Sequence, residues 1–198
     1  MGMMINRRRV YGGKKLPYDA EIEYLESSGT QYIDTDFIPL IGDSLHVELS
    51  FSTINPLNTP FSAGTSTYQT VFVEGSNNFF TRIFSNTSTY GTIFLELNKW
   101  YTFDITAEGN VSFGGLTWVA LPVQELDGNE TNLWLYRRRN NTNPFIGKMK
   151  NFIVNSNGEP RLHLIPVRVG TTGYMYDKVS GQLFGNSGTG DFILGPDK

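Results

Sequence analysis

The stretch NLWLYRRR, residues 132–139, gathers side-chain types that suit a sugar. A pyranose presents an apolar C–H face and a rim of hydroxyls, so a site for it pairs an aromatic ring with planar hydrogen-bonding groups. On a strand, successive side chains point to opposite faces. Asn132, Trp134, Tyr136 and Arg138 would then share one face, with Leu133 and Leu135 on the other. Trp118, Tyr68, Phe79 and Phe80 are further aromatic candidates for this role. The plainer alternative is that such rings complete a core.

Other chemistry is thinly represented. The chain has no cysteine, which excludes disulfides, thiolate zinc sites and cysteine nucleophiles together. There are two histidines, His46 and His163, both within strand-like patterns, and no Gly-x-Ser-x-Gly elbow accompanies them. His46 alternates outward with Glu48, as a surface histidine near a carboxylate would. Glu21 and Glu23 alternate onto one strand face, about 6.6 Å apart by strand rise, where they sit side by side instead of flanking a bond. Asp34, Asp36 and Asp43 cluster around DTDFIPLIGD and offer the oxygen ligands that calcium prefers. Their spacing matches no loop motif, and turn-capping is the competing role.

Charge is unevenly distributed. Residues 1–15 hold Arg7, Arg8, Arg9, Lys14 and Lys15 and no acid, about +5 within a 198-residue chain of net charge −3. The remainder therefore carries roughly −8 and would repel a nucleic-acid duplex over most of its surface. The basic segment suits an acidic groove on a protein partner: a tether with Gly12 and Gly13 as its swivel. Met3, Met4 and Ile5 are too short an apolar run for a signal-peptide core, and no stretch reaches the length of a membrane span. The expectation is a soluble protein made in a cytoplasm. The sequons at Asn86, Asn110, Asn129 and Asn140 then reflect the abundance of Asn, Ser and Thr.

The elements that must position these residues follow period two almost everywhere. In SLHVELSF, Leu45, Val47, Leu49 and Phe51 alternate with His46, Glu48, Ser50 and Ser52. Similar runs occupy 30–35, 69–74, 78–84, 91–97, 99–106, 131–138, 145–154 and 161–169. Turn-forming clusters such as INPLNTP, EGSNN, AEGN, ELDGNE, RNNTNP and NSNGEP separate them. No stretch shows a helical stripe. Many short strands with regular turns predict an all-β, two-sheet antiparallel β-sandwich or jelly roll spanning 20–198. Residues 1–19 are expected as an extended arm. The tail predicts a small hairpin within 173–194: YMYD and QLF flank KVSG, Gly181 closes the turn, and Tyr174, Tyr176, Phe184 and Phe192 pack on the sandwich.

Two stretches, EIEYLESSGTQYIDTDFIP (21–39) and FIGKMKNFIVNSNGEPRLHLIPVRVGTTGYMYDKVSGQLFGNSGTGDFILGPD (145–197), resemble the concanavalin A-like, laminin-G-like modules of gut-bacterial phages and prophages. The basic cluster and Gly pair before YDAEIEYLES are also similar to those proteins, whereas 40–130 matches only as strands and turns. The resemblance implies a lectin-like sandwich on a virion, as a head fibre, tail component or capsid decoration assembled in the host cytoplasm. It also raises calcium at a sandwich rim, with no other cofactor implied. Related laminarinase-type hydrolases carry Glu-x-Asp-x-x-Glu or Glu-x-Asp-x-Glu on one strand, and neither pattern occurs here.

Two readings follow. In the first, a non-enzymatic virion module binds other virion proteins through its arm and engages host-surface or mucus glycans, with many copies compensating for weak single sites. In the second, the sandwich is a purely structural decoration whose aromatic faces are core or subunit contacts. A glycoside hydrolase is disfavoured by the missing acid pattern. A dimer or trimer is compatible with fibre symmetry, although no heptad run specifies one.

Overall fold

A computed structural model describes residues 10–11, 14–53, 58–63, 70–74, 78–82, 89–118, 131–139 and 142–198. Nineteen strands and no helix occur among them. In chain order they are β1 (Val10–Tyr11), β2 (Lys14–Lys15), β3 (Ala20–Glu21), β4 (Leu25–Ser27), β5 (Ile33–Asp34), β6 (Asp43–Phe51), β7 (Phe61–Ala63), β8 (Thr70–Glu74), β9 (Asn78–Arg82), β10 (Thr89–Thr92), β11 (Trp100–Ile105), β12 (Val111–Phe113), β13 (Leu116–Trp118), β14 (Leu133–Leu135), β15 (Gly147–Ser156), β16 (Glu159–Val169), β17 (Thr172–Asp177), β18 (Leu183–Phe184) and β19 (Ile193–Leu194).

All pairings are antiparallel. The larger sheet runs β13-β12-β11-β6-β15-β16-β17-β18, with β4 on β15, β19 on β4 and β3 on β16. The smaller runs β10-β9-β8-β7-β14-β5. Alternation decides which face is buried: Leu45, Val47, Leu49 and Phe51 of β6 point inward, as do Leu133 and Leu135 of β14. Phe61 of the smaller sheet meets Phe103 and Phe152 of the larger, ring centroids 5.6 and 5.3 Å apart, so the two inner faces share one core. Each such buried side chain contributes about 1.5–3 kcal/mol relative to exposure.

Two local devices keep the alternation in phase. Asn157 and Gly158, with φ of 51° and 84°, form the two-residue turn between β15 and β16, the left-handed pair that a tight hairpin demands. Along β15, Lys150 faces Glu48 but Ile153 faces His46, so one extra residue bulges out. Asn151 occupies that bulge with φ 49°, and Phe152 thereby enters the core three positions after Met149.

At the N-terminus the boundary differs from expectation. Residues 1–9 and 12–13 lie outside the described residues, and with them Arg7, Arg8 and Arg9. Lys14 and Lys15 pair with Tyr11 and Val10 in a separate two-stranded sheet. The segment expected to extend freely to residue 19 is already docked at Leu16. Tyr18 is buried with Ile165 and Val167 of β16, and Leu16, Val169, Tyr174, Tyr176 and Leu183 pack around them. The reason is visible in β16. Leu162 and Leu164 belong to the central core while Ile165 and Val167 face outward, and the outward pair needs a cover. Asp19 anchors that cover, its N–H donating to Arg168 O (2.9 Å) and its carboxylate accepting from Gly170 N (2.8 Å).

The tail follows its pattern. β17 pairs with β18 as Met175↔Phe184 and Tyr176↔Leu183, and Gly181 has φ 78°. Phe184 and Phe192 join the core, while Tyr174 and Tyr176 cover its outer satellite.

Candidate functional site

β14 lies between β7 and β5, and its register places Trp134 opposite Ser62 and Asp34. With Leu133 and Leu135 committed to the core, Trp134 faces outward, half-buried. Tyr32, just before β5, stacks on it with ring centroids 4.5 Å apart and planes 27° from parallel. Arg139 stands over Trp134 (Cζ 5.7 Å from the ring centroid) and Arg137 over Tyr32 (5.4 Å). The result is a ladder of two rings between two guanidiniums. Arg137 Nη2 donates to Gly29 O (2.7 Å) and Arg139 Nη1 to Asn132 O (3.1 Å), which holds both cations in place. Asn132 Nδ2 in turn donates to Asp34 Oδ1 (3.2 Å) and Asp36 Oδ1 (3.1 Å). Apolar rings, donors and acceptors thus meet within one outward patch.

Tyr136 is not part of that patch. The strand ends at Leu135, and Tyr136 takes a left-handed backbone with φ 67°, which breaks the alternation and swings its ring into the interior. It is fully buried against Phe145 and Phe192, and its hydroxyl donates to Leu25 O (2.8 Å). Burial, helped by the charge of Glu26, pushes its phenol well above the usual tyrosine range. The same reversal changes which arginine meets the tryptophan: Arg139, instead of the expected Arg138. Arg138 is half-buried, its N–H donating to Thr142 O (3.3 Å).

Trp118 sits on β13, at the edge of the other sheet, and so does not join Trp134 in one sheet face. Phe79 and Phe80 are placed by β9 in the smaller sheet, and Tyr68 lies outside the described residues. The missed contributors are Tyr32, Arg137 and Arg139. For Tyr32 a signal existed, because inward Ile33 sets Tyr32 and Asp34 outward by alternation.

The three aspartates do not converge. Asp34 and Asp36 share the Asn132 amide, whereas Asp43 is buried, pairs with Arg161 and accepts from Leu40 N (2.8 Å). Among the described residues no group of three or more acids and histidines is placed to hold a metal ion. Asp43 closes the turn before β6, and Asp34 accepts from Asp36 N (3.1 Å), so both do the work of turn carboxylates.

Both histidines are on strands. His46 Nδ1 lies 2.6 Å from Asp104 Oδ1 on β11, a closer carboxylate than the Glu48 of its own strand. Burial lowers the pKa of His163 below its usual 6.5, and the ammonium of Lys178 adds to this against the pull of Asp177. In the unfolded chain His163 therefore takes its proton first as pH falls. Its contribution to stability is intact above about pH 6.5 and is lost as pH drops through the lower folded value. Melting temperature should decline as pH falls below about 6.5, and His163→Gln should flatten that part of the profile, measured by thermal denaturation across pH. Glu21 ends β3 and accepts from the Tyr18 hydroxyl (3.2 Å), whereas Glu23 lies beyond that strand and is exposed, so the two do not share the strand face that alternation predicts.

No protein-family model matches the chain, and no characterised protein matches it by sequence. Solved structures do match. One is a protein of Bacteroides ovatus described as a candidate carbohydrate-binding protein, with a TM-score of 0.62, 12% identity and coverage of 90% of this chain. The fold is a two-sheet antiparallel β-sandwich of the jelly-roll type. The chain spans 61% of the length of that protein. A second match is a native heptameric SAP-like pentraxin from Limulus polyphemus, with a TM-score of 0.54 and 11% identity, covering 89% of this chain and 94% of that one.

Proposed function

We propose that the chain is a non-catalytic glycan-binding module of a phage virion, carried on the particle by its basic N-terminal segment. The observation that carries the glycan reading is the Tyr32–Trp134 stack beside Asn132, Asp34 and Asp36. The rings supply apolar surface, the guanidiniums donate, and the carboxylates accept from sugar hydroxyls. For a pyranose to lie flat on Trp134, Arg139 exchanges its bond to Asn132 O for one to the rim of the sugar as it swings aside. The likeness to the Bacteroides ovatus protein supports the same class of ligand. Calcium, if it takes part, is limited to Asp34 and Asp36, because Asp43 is already paired with Arg161. The test is a glycan array probed with the domain displayed multivalently. Binding to a defined sugar class supports the reading, and silence from folded protein sinks it.

The virion setting rests on the resemblance of 21–39 and 145–197 to phage modules and on the charge contrast of the first fifteen residues. Removing residues 1–15 should abolish incorporation into particles and leave the melting temperature within about 2 °C of the full chain, since the apolar cover begins at Leu16. A large fall in melting temperature on that deletion would make the segment part of the fold.

A structural decoration is the second reading, and exposed apolar side chains favour it. Phe94 is 77% exposed and Leu97 about half, both in the connection from β10 to β11, and Leu116 on edge strand β13 is about half exposed. A shift of oligomeric state on Phe94→Ser would assign that surface to subunit contact.

A further inference from the structure

The outer face of the larger sheet bears a second aromatic platform, across the sandwich from Trp134. Tyr101 and Phe103 of β11 point into the core, so Trp100 points out, and it remains 37% exposed. Hydrogen-bond register runs from Trp100 to Ser50, then to Lys148, then to Glu26. One step along the strands, Thr102, Glu48 and Lys150 form a parallel row. Tyr24 flanks both, its ring centroid 6.1 Å from that of Trp100.

The four charged groups of these two rows are each held in place. Lys150 Nζ stands 4.3 Å from the Trp100 centroid and 3.0 Å from Glu48 Oε2. Lys148 Nζ stands 5.0 Å from the Tyr24 centroid. Glu26 accepts from the Ser52 hydroxyl (2.6 Å), and Glu48 accepts from Asn151, the bulge residue of β15. Burial raises the pKa of Glu48, but the bonds from Asn151 and Lys150 outweigh it and keep the carboxylate ionised. Ser50 is different. It takes the outward register position between Trp100 and Lys148, it is fully buried, and its hydroxyl has no hydrogen-bond partner among the described residues.

The Ser50 hydroxyl, set between Trp100 and Lys148 in the register, is thus a buried polar group left unsatisfied, at a cost of about 1–3 kcal/mol. Two ammoniums and two carboxylates around an exposed indole also sum to zero charge. An anionic ligand would meet Glu26 and Glu48, and a cationic one Lys148 and Lys150. The complement of this face is a ligand with an apolar side and many hydroxyls that both donate and accept. We propose that the outer face of the larger sheet is a second saccharide subsite, which seats a neutral pyranose on Trp100 with its hydroxyls bonded by Lys148, Lys150, Glu26 and Glu48.

The chain has three tryptophans, so indole N–H resonances of the full, 15N-labelled protein separate the two platforms. The probes are neutral hexaoses of glucose (β-1,4, β-1,3 and α-1,4), xylose, mannose and N-acetylglucosamine, with polygalacturonate as the acidic control. The expected result is a saturable shift of the Trp100 indole with at least one neutral probe. That shift persists in Trp134→Ala, and affinity falls about tenfold or more in Trp100→Phe. A Trp100 resonance that moves with no neutral probe, moves only with polygalacturonate, or stops moving in Trp134→Ala overturns the proposal. The same spectra keep the two sites apart: a Trp134 resonance that stays still while Trp100 shifts removes the ladder as a ligand site and leaves this one standing.

Discussion

Tyr136→Ala should destabilise the fold by about 3–5 kcal/mol, the cost of truncating a buried aromatic whose surroundings collapse only in part. Three elements meet at this ring. Its centroid lies 5.0 Å from that of Phe192 and 6.0 Å from that of Phe145, and its hydroxyl bonds Leu25 O across 111 residues of sequence. The backbone at the same position adds two ties, Tyr136 N to Pro60 O (2.6 Å) and Phe145 N to Tyr136 O (2.8 Å), which alanine would keep at a strained φ. At about 2–4 °C per kcal/mol for a chain of this size, the melting temperature should fall by roughly 6–20 °C. Tyr136→Phe keeps the ring and strips only the hydroxyl, so its loss should be about 1 kcal/mol. Calorimetry on the pair separates packing from hydrogen bond. If Tyr136→Ala melted with the wild type, the ring would not be where the core places it.

Trp134→Ala should act the other way, with a modest loss of stability and a large loss of glycan binding. The ring is half-buried and outward, so truncation leaves no closed cavity, although it releases Tyr32 and Arg139 from their stack. Removing the central ring of a ligand platform costs about 1.4–2.8 kcal/mol in binding, which is about 10- to 100-fold in affinity. Multivalent display multiplies that loss, because each copy contributes to avidity. Tyr136→Phe, whose change is confined to the interior, should bind as the wild type does. The contrast between these two positions, two residues apart, is the sharpest consequence of the left-handed backbone at Tyr136.

That contrast also marks where alternation stops informing. Leu45 to Phe51 and the Asn157–Gly158 turn were legible because period two and left-handed turn chemistry are local properties. Trp134 was legible for the same reason. Tyr136 was not, since alternation presumes that the strand continues and nothing local in LWLYRRR announces its end at Leu135. The arginine paired with the tryptophan shifted from Arg138 to Arg139 as a direct result. Asp43 groups with Asp34 and Asp36 by proximity in sequence, but its partner Arg161 lies 118 residues away, beyond any local pattern. Leu16 and Tyr18 look like part of the arm in the sequence, because their neighbours are charged and flexible types. What docks them is the outward pair Ile165 and Val167, which only the assembled sheet brings beneath them.

The measurement that bears most directly on the central reading is a calorimetric titration of the best array-selected glycan into the wild type and Trp134→Ala side by side, with folding of both established by their melting curves. Saturable binding that weakens about tenfold or more in the variant is the result expected of a glycan site on the Tyr32–Trp134 ladder. Equal affinity in the two proteins, or no glycan bound by the folded wild type, would contradict it.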